Sequence, residues 1–210
     1  MRLLNDPQGS EAWLLSRAGK FTASTAKDLM ASGRGGAPST SRANLITKLA
    51  VERITGQPVP GFQSDDMRRG NELEPFARAA YEAETGSLVH QVGFALHDEY
   101  DFAGASLDGI VSAEGGPEFK CPSAQDKHYS ALMDGAHAEE YAKQIGFQQW
   151  IAGWLWTDAV SFDPRFPDGL QVAITRVQRD NGLIGDIRAA VLKAEDEVRD
   201  RVEKLLARRK

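Results

Sequence analysis

The chain has 210 residues, 41% of them hydrophobic and 26% charged, which suits one compact domain with a sizeable core. It carries a single cysteine, Cys121, which excludes an intrachain disulfide and any cysteine-based zinc cluster. The net charge of -5 counts against a protein that only wraps phosphates, though it says nothing about how charge is distributed.

No apolar run follows the first residues, so no secretory leader is expected, and no stretch approaches the length a membrane helix needs. With the lone cysteine, this fits a reducing cytoplasm. The first predicted helix covers Ser10 to Arg17, with Ser10 as N-cap and Gly19 just past its end. A second starts at Thr22 or Ser24 and runs to Met30. Ser32 to Ser41 reads as a Gly/Ser/Pro loop. Leu45, Ile46, Leu49 and Ile54 lie on one face of a helix that stops at Gly56. After a connection over Gln57 to Ser64, a helix runs from about Asp66 to Thr85, perturbed near Pro75 and ended by Gly86.

Beyond Gly86 the pattern changes. Leu88, His90, Val92 and Phe94 alternate with other residues and predict a strand. Two more are expected over Phe102 to Val111 and Glu118 to Cys121, joined by a turn over Ser112 to Pro117. Glu139 to Ala152 is helical by pattern, Ala159 to Phe162 and Leu170 to Val177 are strands, and one long amphipathic helix fills the rest from Asp180. This order implies an α/β fold with a central mixed β-sheet flanked by helices, in a single domain over residues 1–210.

The chemistry concentrates at Ser106-Leu-Asp108-Gly and Glu118-Phe-Lys120. On a strand, residues two apart share a face, so Glu118 and Lys120 project together while Phe119 turns into the core. A hairpin-like return brings Asp108 beside them. Two adjacent carboxylates repel, and a hard divalent cation relieves that repulsion; Mg²⁺ takes one or two carboxylates and keeps several waters. The remaining positions admit a phosphate oxygen and a nucleophile, and a second ion could stabilise the leaving oxygen. Lys120 could orient or deprotonate the attacking water. Asp followed by Glu-x-Lys is a weak signal alone. It is strengthened by Arg69-Gly-Asn-Glu-Leu-Glu74 upstream, where Glu74 could add a third carboxylate.

Five ordered motifs carry a resemblance over nearly the whole chain: Trp13 to Ser24, Gly70 to Glu74, Ser106-Leu-Asp108-Gly, Glu118-Phe-Lys120-Cys-Pro122, and Tyr141-Ala-Lys-Gln144. Together they resemble the lambda-type phage exonucleases, or YqaJ-type viral recombinase nucleases, of the PD-(D/E)xK nuclease group. The resemblance implies a 5′→3′ exonuclease on linear double-stranded DNA that releases 5′ mononucleotides and leaves 3′ single-stranded tails for phage-type recombination. It implies that Asp108, Glu118 and the Phe119 backbone carbonyl hold one Mg²⁺, that Asp108 and Glu74 help hold a second, that Mn²⁺ can substitute, and that Lys120 acts on the water. Arg17, Ser24 and Ser106 match the pocket for the terminal 5′ phosphate. Arg34 matches an arginine reaching into the minor groove, and Met67 an apolar wedge between the strands. Spacing alone equally allows Met67 as a core methionine.

The resemblance further implies a ring-shaped homotrimer around DNA, a single-strand annealing protein as partner, and a phage or prophage source in a bacterial cytoplasm. The pattern is broken where the family carries Gln-x-Gln. Here those positions are Gln144 and Gly146, and the sequence leaves open whether Gln148, one helical turn on, supplies the second glutamine. Two other readings stand beside the exonuclease: an endonuclease or nickase on the same fold, and a non-catalytic DNA-end-binding subunit.

Overall fold

The computed structural model describes residues 1–33, 39–61 and 64–209. Strand β1 (Arg2–Leu4) precedes helix α1 (Glu11–Arg17), whose N-cap Ser10 accepts a hydrogen bond from the Trp13 N–H. Strand β2 (Phe21–Thr22) leads through a 3₁₀ turn over Ala23–Thr25 into α2 (Ala26–Leu29). Helices α3 (Thr40–Thr55) and α4 (Asp65–Thr85) are capped by Ser39 and Ser64, and each ends on a left-handed glycine, Gly56 and Gly86.

The central strands are β3 (Phe94–Leu96), β4 (Ala103–Ser106) and β5 (Gly115–Lys120). Then come α5 (Gln125–Asp134), α6 (Ala136–Glu140) and α7 (Ala142–Ala152). Strands β6 (Trp156–Phe162) and β7 (Val172–Gln178) precede the long α8 (Asn181–Leu206), capped by Asp180.

The mixed-sheet expectation holds, with the hydrogen bonding divided into two sheets. One has the order β1-β3-β4-β2 and the other β5-β6-β7; each combines one parallel pair with antiparallel pairing. The larger core lies between the first sheet and α2, α3, α7 and α8, around Phe21, Ile46, Leu107, Phe147, Trp154 and Ile187. A smaller core joins α4 to the second sheet through Ala77, Tyr81, Phe119, Val160 and Phe162. That joint is pinned by a buried carboxylate. Asp158 accepts from the Tyr81 hydroxyl at 2.7 Å and from Arg176 at 2.7 and 2.8 Å.

Several element boundaries differ from expectation. Leu88 to Val92 form no strand; only an isolated bridge between His90 and Ile110 replaces it. Gly115 to Pro117 belong to β5 rather than to the turn, because β5 is an edge strand in its sheet and so tolerates a proline without an N–H. The expected 139–152 helix breaks at Tyr141. Helix α4 continues through Pro75; both Pro75 and Asn71, whose carbonyl loses its helical donor, are exposed, so water can satisfy that carbonyl. Strand β1 and helix α5 had no counterpart in the sequence reading.

Candidate active site

Asp108 sits just past β4, in a loop that runs against β5. The approach is close: a Cβ on Gly116 would lie 2.3 Å from the Gly109 carbonyl oxygen, so only glycine lets the strand pass. Across this contact the Asp108 carboxylate accepts the Phe119 N–H at 2.7 Å. Phe119 is buried in the smaller core, which turns its neighbours Glu118 and Lys120 together to the opposite face. The Lys120 ammonium lies 2.6 Å from Glu118 Oε1 and 4.6 Å from the Tyr141 ring centre. Glu74, from α4, contributes a third carboxylate to the neighbourhood and pairs with Arg78 at 3.3 Å.

The electrostatics are those of a crowded acidic centre. Asp108 keeps some exposed surface, yet its carboxyl is tightly enclosed. Burial first, then the Glu118 and Glu74 charges, push it well above the usual carboxylate range. Burial also raises Glu74, with Arg78 opposing and Glu118 adding. Burial alone would lower Lys120, but the Glu118 and Asp108 carboxylates outweigh it and hold the ammonium above its ordinary value.

A second cluster forms at Ser106, the last residue of β4. The Arg17 guanidinium donates to Ser106 Oγ at 2.6 Å and to Ser24 Oγ at 3.4 Å, and stacks 4.2 Å over the Trp13 ring. Burial lowers its pKa from the usual arginine value, with Glu52 opposing.

A model of the YqaJ-like viral recombinase domain matches residues 12–154, which spans both clusters. The chain belongs to the YqaJ-like viral recombinase family. It is 37% identical to the alkaline exonuclease LHK-Exo of Laribacter hongkongensis, with a TM-score of 0.85 over 95% of this chain and 97% of that one. A structure of LHK-Exo in complex with dAMP matches equally well. A phage-related exonuclease from Haemophilus somnus 129PT, at 17% identity and a TM-score of 0.70, covers 89% of this chain and 96% of its own, and shares the fold. No match is found among curated proteins. The architecture is thus that of the PD-(D/E)xK nuclease group, as its sequence motifs implied.

Within this YqaJ-like fold the glutamine question has a geometric answer. Gln144 donates to Glu118 Oε1 and Gln148 to Glu118 Oε2, each at 2.5 Å. Gln144 also faces Lys120, its Oε1 accepting from Nζ at 3.4 Å. Residues four apart share a helix face, whereas residues two apart point nearly opposite ways. Position 146 accordingly faces α8: a Cβ there would sit 3.1 Å from both Leu183 Cδ2 and Ile187 Cδ1. The second amide on Glu118 therefore comes from Gln148, one helical turn beyond Gln144, and not from position 146. Gly146→Gln should overpack this contact and cost about 1–3 kcal/mol, read as a lower melting temperature with no gain of activity. A stability equal to wild type would show that the α7–α8 seam has room.

The remaining expected residues fall unevenly. Met67 is 56% exposed on the first turn of α4, so it is no core methionine. Arg34 lies outside the described residues.

Among the described residues no three carboxylate, histidine or cysteine side chains are close enough to cage a metal ion. A Mg²⁺ ion asks for less, since it keeps several waters and takes one or two carboxylates. The donors here fit it: oxygen ligands only, beside an enclosed aspartate destabilised by neighbouring negative charge. Asp108, Glu118 and the Phe119 carbonyl would hold such an ion, with Glu74 and Asp108 facing a second. The lysine and the two amides now on Glu118 occupy lone pairs that an ion would share.

Proposed function

We propose that this chain is a Mg²⁺-dependent exonuclease acting 5′→3′ on the ends of linear double-stranded DNA, with Mn²⁺ as a substitute metal. The observation that supports it best is the connection between the two clusters through one residue. Ser106 accepts Arg17 on its hydroxyl, and its carbonyl faces Gln148, whose amide holds Glu118. The Arg17 cluster and the acidic cluster thus meet at Ser106, which supports reading them as an end-phosphate pocket beside a hydrolytic centre.

In this reading Arg17 forks onto the terminal 5′ phosphate, with Ser24 and Ser106 donating hydroxyls. The next phosphodiester then lies at Asp108 and Glu118. Two bound metal ions would supply Lewis-acid stabilisation of the attacking and leaving oxygens. Lys120, held as an ammonium, orients the attacking water and balances the charge that develops there; Gln144 and Gln148 keep Glu118 from rotating away. Met67, exposed near the start of α4, suits a wedge against the duplex, and Arg34 a minor-groove contact. The product is a 5′ mononucleotide, in keeping with a relative crystallised with dAMP. The 3′ tail left behind would pass to a single-strand annealing protein. A single nuclease domain over residues 1–210, assembled as a homotrimer ring in the bacterial cytoplasm, would hold DNA by encirclement, which suits a chain of net charge -5. No described helix is long and apolar enough to cross a membrane.

The test is end chemistry. Wild-type protein should digest 5′-phosphorylated duplex faster than 5′-hydroxyl duplex by about tenfold, the worth of one charge-assisted contact. Arg17→Ala should erase the difference by slowing only the phosphorylated substrate. Equal wild-type rates on both ends would remove the phosphate pocket from the account.

A further inference from the structure

Just beyond the catalytic strand lies a cluster that the nuclease centre does not use. Asp163 follows β6 directly and is fully buried. It takes Arg165 in a fork, at 2.8 Å from Nε and 2.6 Å from a terminal nitrogen. That same terminal nitrogen of Arg165 donates to the Ser123 carbonyl at 2.8 Å, three residues past Lys120. Burial alone would raise the Asp163 carboxyl, but Arg165, with Arg69 behind it, holds it below its ordinary range.

Arg69 approaches the same carboxylate from α4, at 3.6 Å, too far for a hydrogen bond. Its Nε and one terminal nitrogen have no hydrogen-bond partner among the described residues. Two guanidiniums therefore share one carboxylate, and one positive charge is left over. A native protein seldom leaves buried donors unmet without a reason. The place is also suggestive. Lys120 pairs with Ser161 at the C-terminal end of the parallel β5–β6 pair, and Asp163 lies two residues further on. Ligands of open α/β sheets gather outside such strand ends. Arg69 stands on α4 between exposed Met67 and Glu74, and its charge reaches Cys121, next to Lys120.

We infer that Arg69, braced by Asp163 and flanked by Arg165, is a second phosphate site that takes a backbone phosphate of the substrate strand on the duplex side of the hydrolytic centre. This rests on the nuclease reading above. It is separate from the Arg17 pocket: Arg17 takes the free end, while Arg69 takes an internal phosphodiester on its way in. The Asp163 fork engages Arg165, so Arg69 is the partner whose unmet donors are left for an incoming anion.

The experiment measures binding of a 5′-phosphorylated linear duplex in EDTA, where no digestion occurs, across a series of NaCl concentrations, with melting curves for each variant. Arg69→Gln should weaken binding about tenfold. It should also flatten the slope of log affinity against log salt by about 0.7–0.9, the loss of one phosphate contact. The preference for a 5′ phosphate over a 5′ hydroxyl should stay as in wild type. Arg69→Lys should restore the slope but only part of the affinity, because an ammonium cannot fork. An Arg69→Gln protein with wild-type affinity and slope would overturn the proposal. So would weaker binding with an unchanged slope and a lowered melting temperature, which marks a structural role. If Arg69→Gln does not fold, Arg69→Lys decides alone, and wild-type affinity in it overturns the site. A wild type that leaves linear duplex intact in Mg²⁺ would remove the nuclease reading itself, whereas an active wild type beside an unaffected Arg69→Gln would remove only Arg69.

Discussion

Lys120→Ala should lower Mg²⁺-dependent degradation of linear duplex by about 10²–10⁴-fold, the range for a group that moves or holds a proton at the reacting atoms. DNA affinity should be largely unchanged, because Lys120 is engaged by Glu118 and Gln144 rather than presented to a groove. The rate drop is read from single-turnover digestion and the affinity from binding in EDTA. Unchanged digestion would take Lys120 out of the mechanism. A loss of binding equal to the loss of rate would make it a phosphate contact instead.

Asp108→Asn should separate stability from activity. The aspartate is enclosed, faces two other carboxylates, and its carboxyl is pushed well above its ordinary value. A group whose folded pKa is raised in this way resists ionisation in the native state. The metal-free protein therefore loses stability as pH rises from the usual carboxylate range up through the raised native value of this group. Asparagine removes the charge and can still accept the Phe119 N–H. We expect metal-free Asp108→Asn to be more stable than wild type at neutral pH by about 1 kcal/mol, or ~2–4 °C in melting temperature. Digestion should fall below detection. Mg²⁺ should raise the melting temperature of the wild type and leave the variant unmoved. A variant less stable than wild type without metal would mean that the carboxylate is fully compensated in the free protein.

The sequence was a good guide wherever a local rule decides structure. Ser10 caps the helix it was expected to cap, the last helix begins beside Asp180 as expected, and Gly56 and Gly86 end theirs, because caps and left-handed glycines act within one turn. Strand limits depend on partners far away in the chain. The 88–92 part of the alternation pairs only through the single His90–Ile110 bridge, and Gly115 to Pro117 became strand because β6 lies alongside. The Asp108, Glu118 and Lys120 cluster was legible because period-two geometry and a short return force those side chains together. Gln148 was left open because its place depends on the phase of α7 against both Glu118 and α8, which spacing in the motif misassigned to Gly146. The Asp163 cluster was not legible: Arg69 opens a motif whose signal lay in Glu74, and it meets Asp163 and Arg165 only in the folded chain.

The most direct test of the account is digestion of a linear duplex in Mg²⁺, labelled at the 5′ end in one sample and at the 3′ end in another, beside a covalently closed circle. Early release of the 5′ label as a mononucleotide, a 3′-labelled strand that stays long, and an intact circle are the expected results. Nicking of the circle, or release of the 3′ label first, would contradict an end-dependent 5′→3′ exonuclease built on Asp108, Glu118 and Lys120.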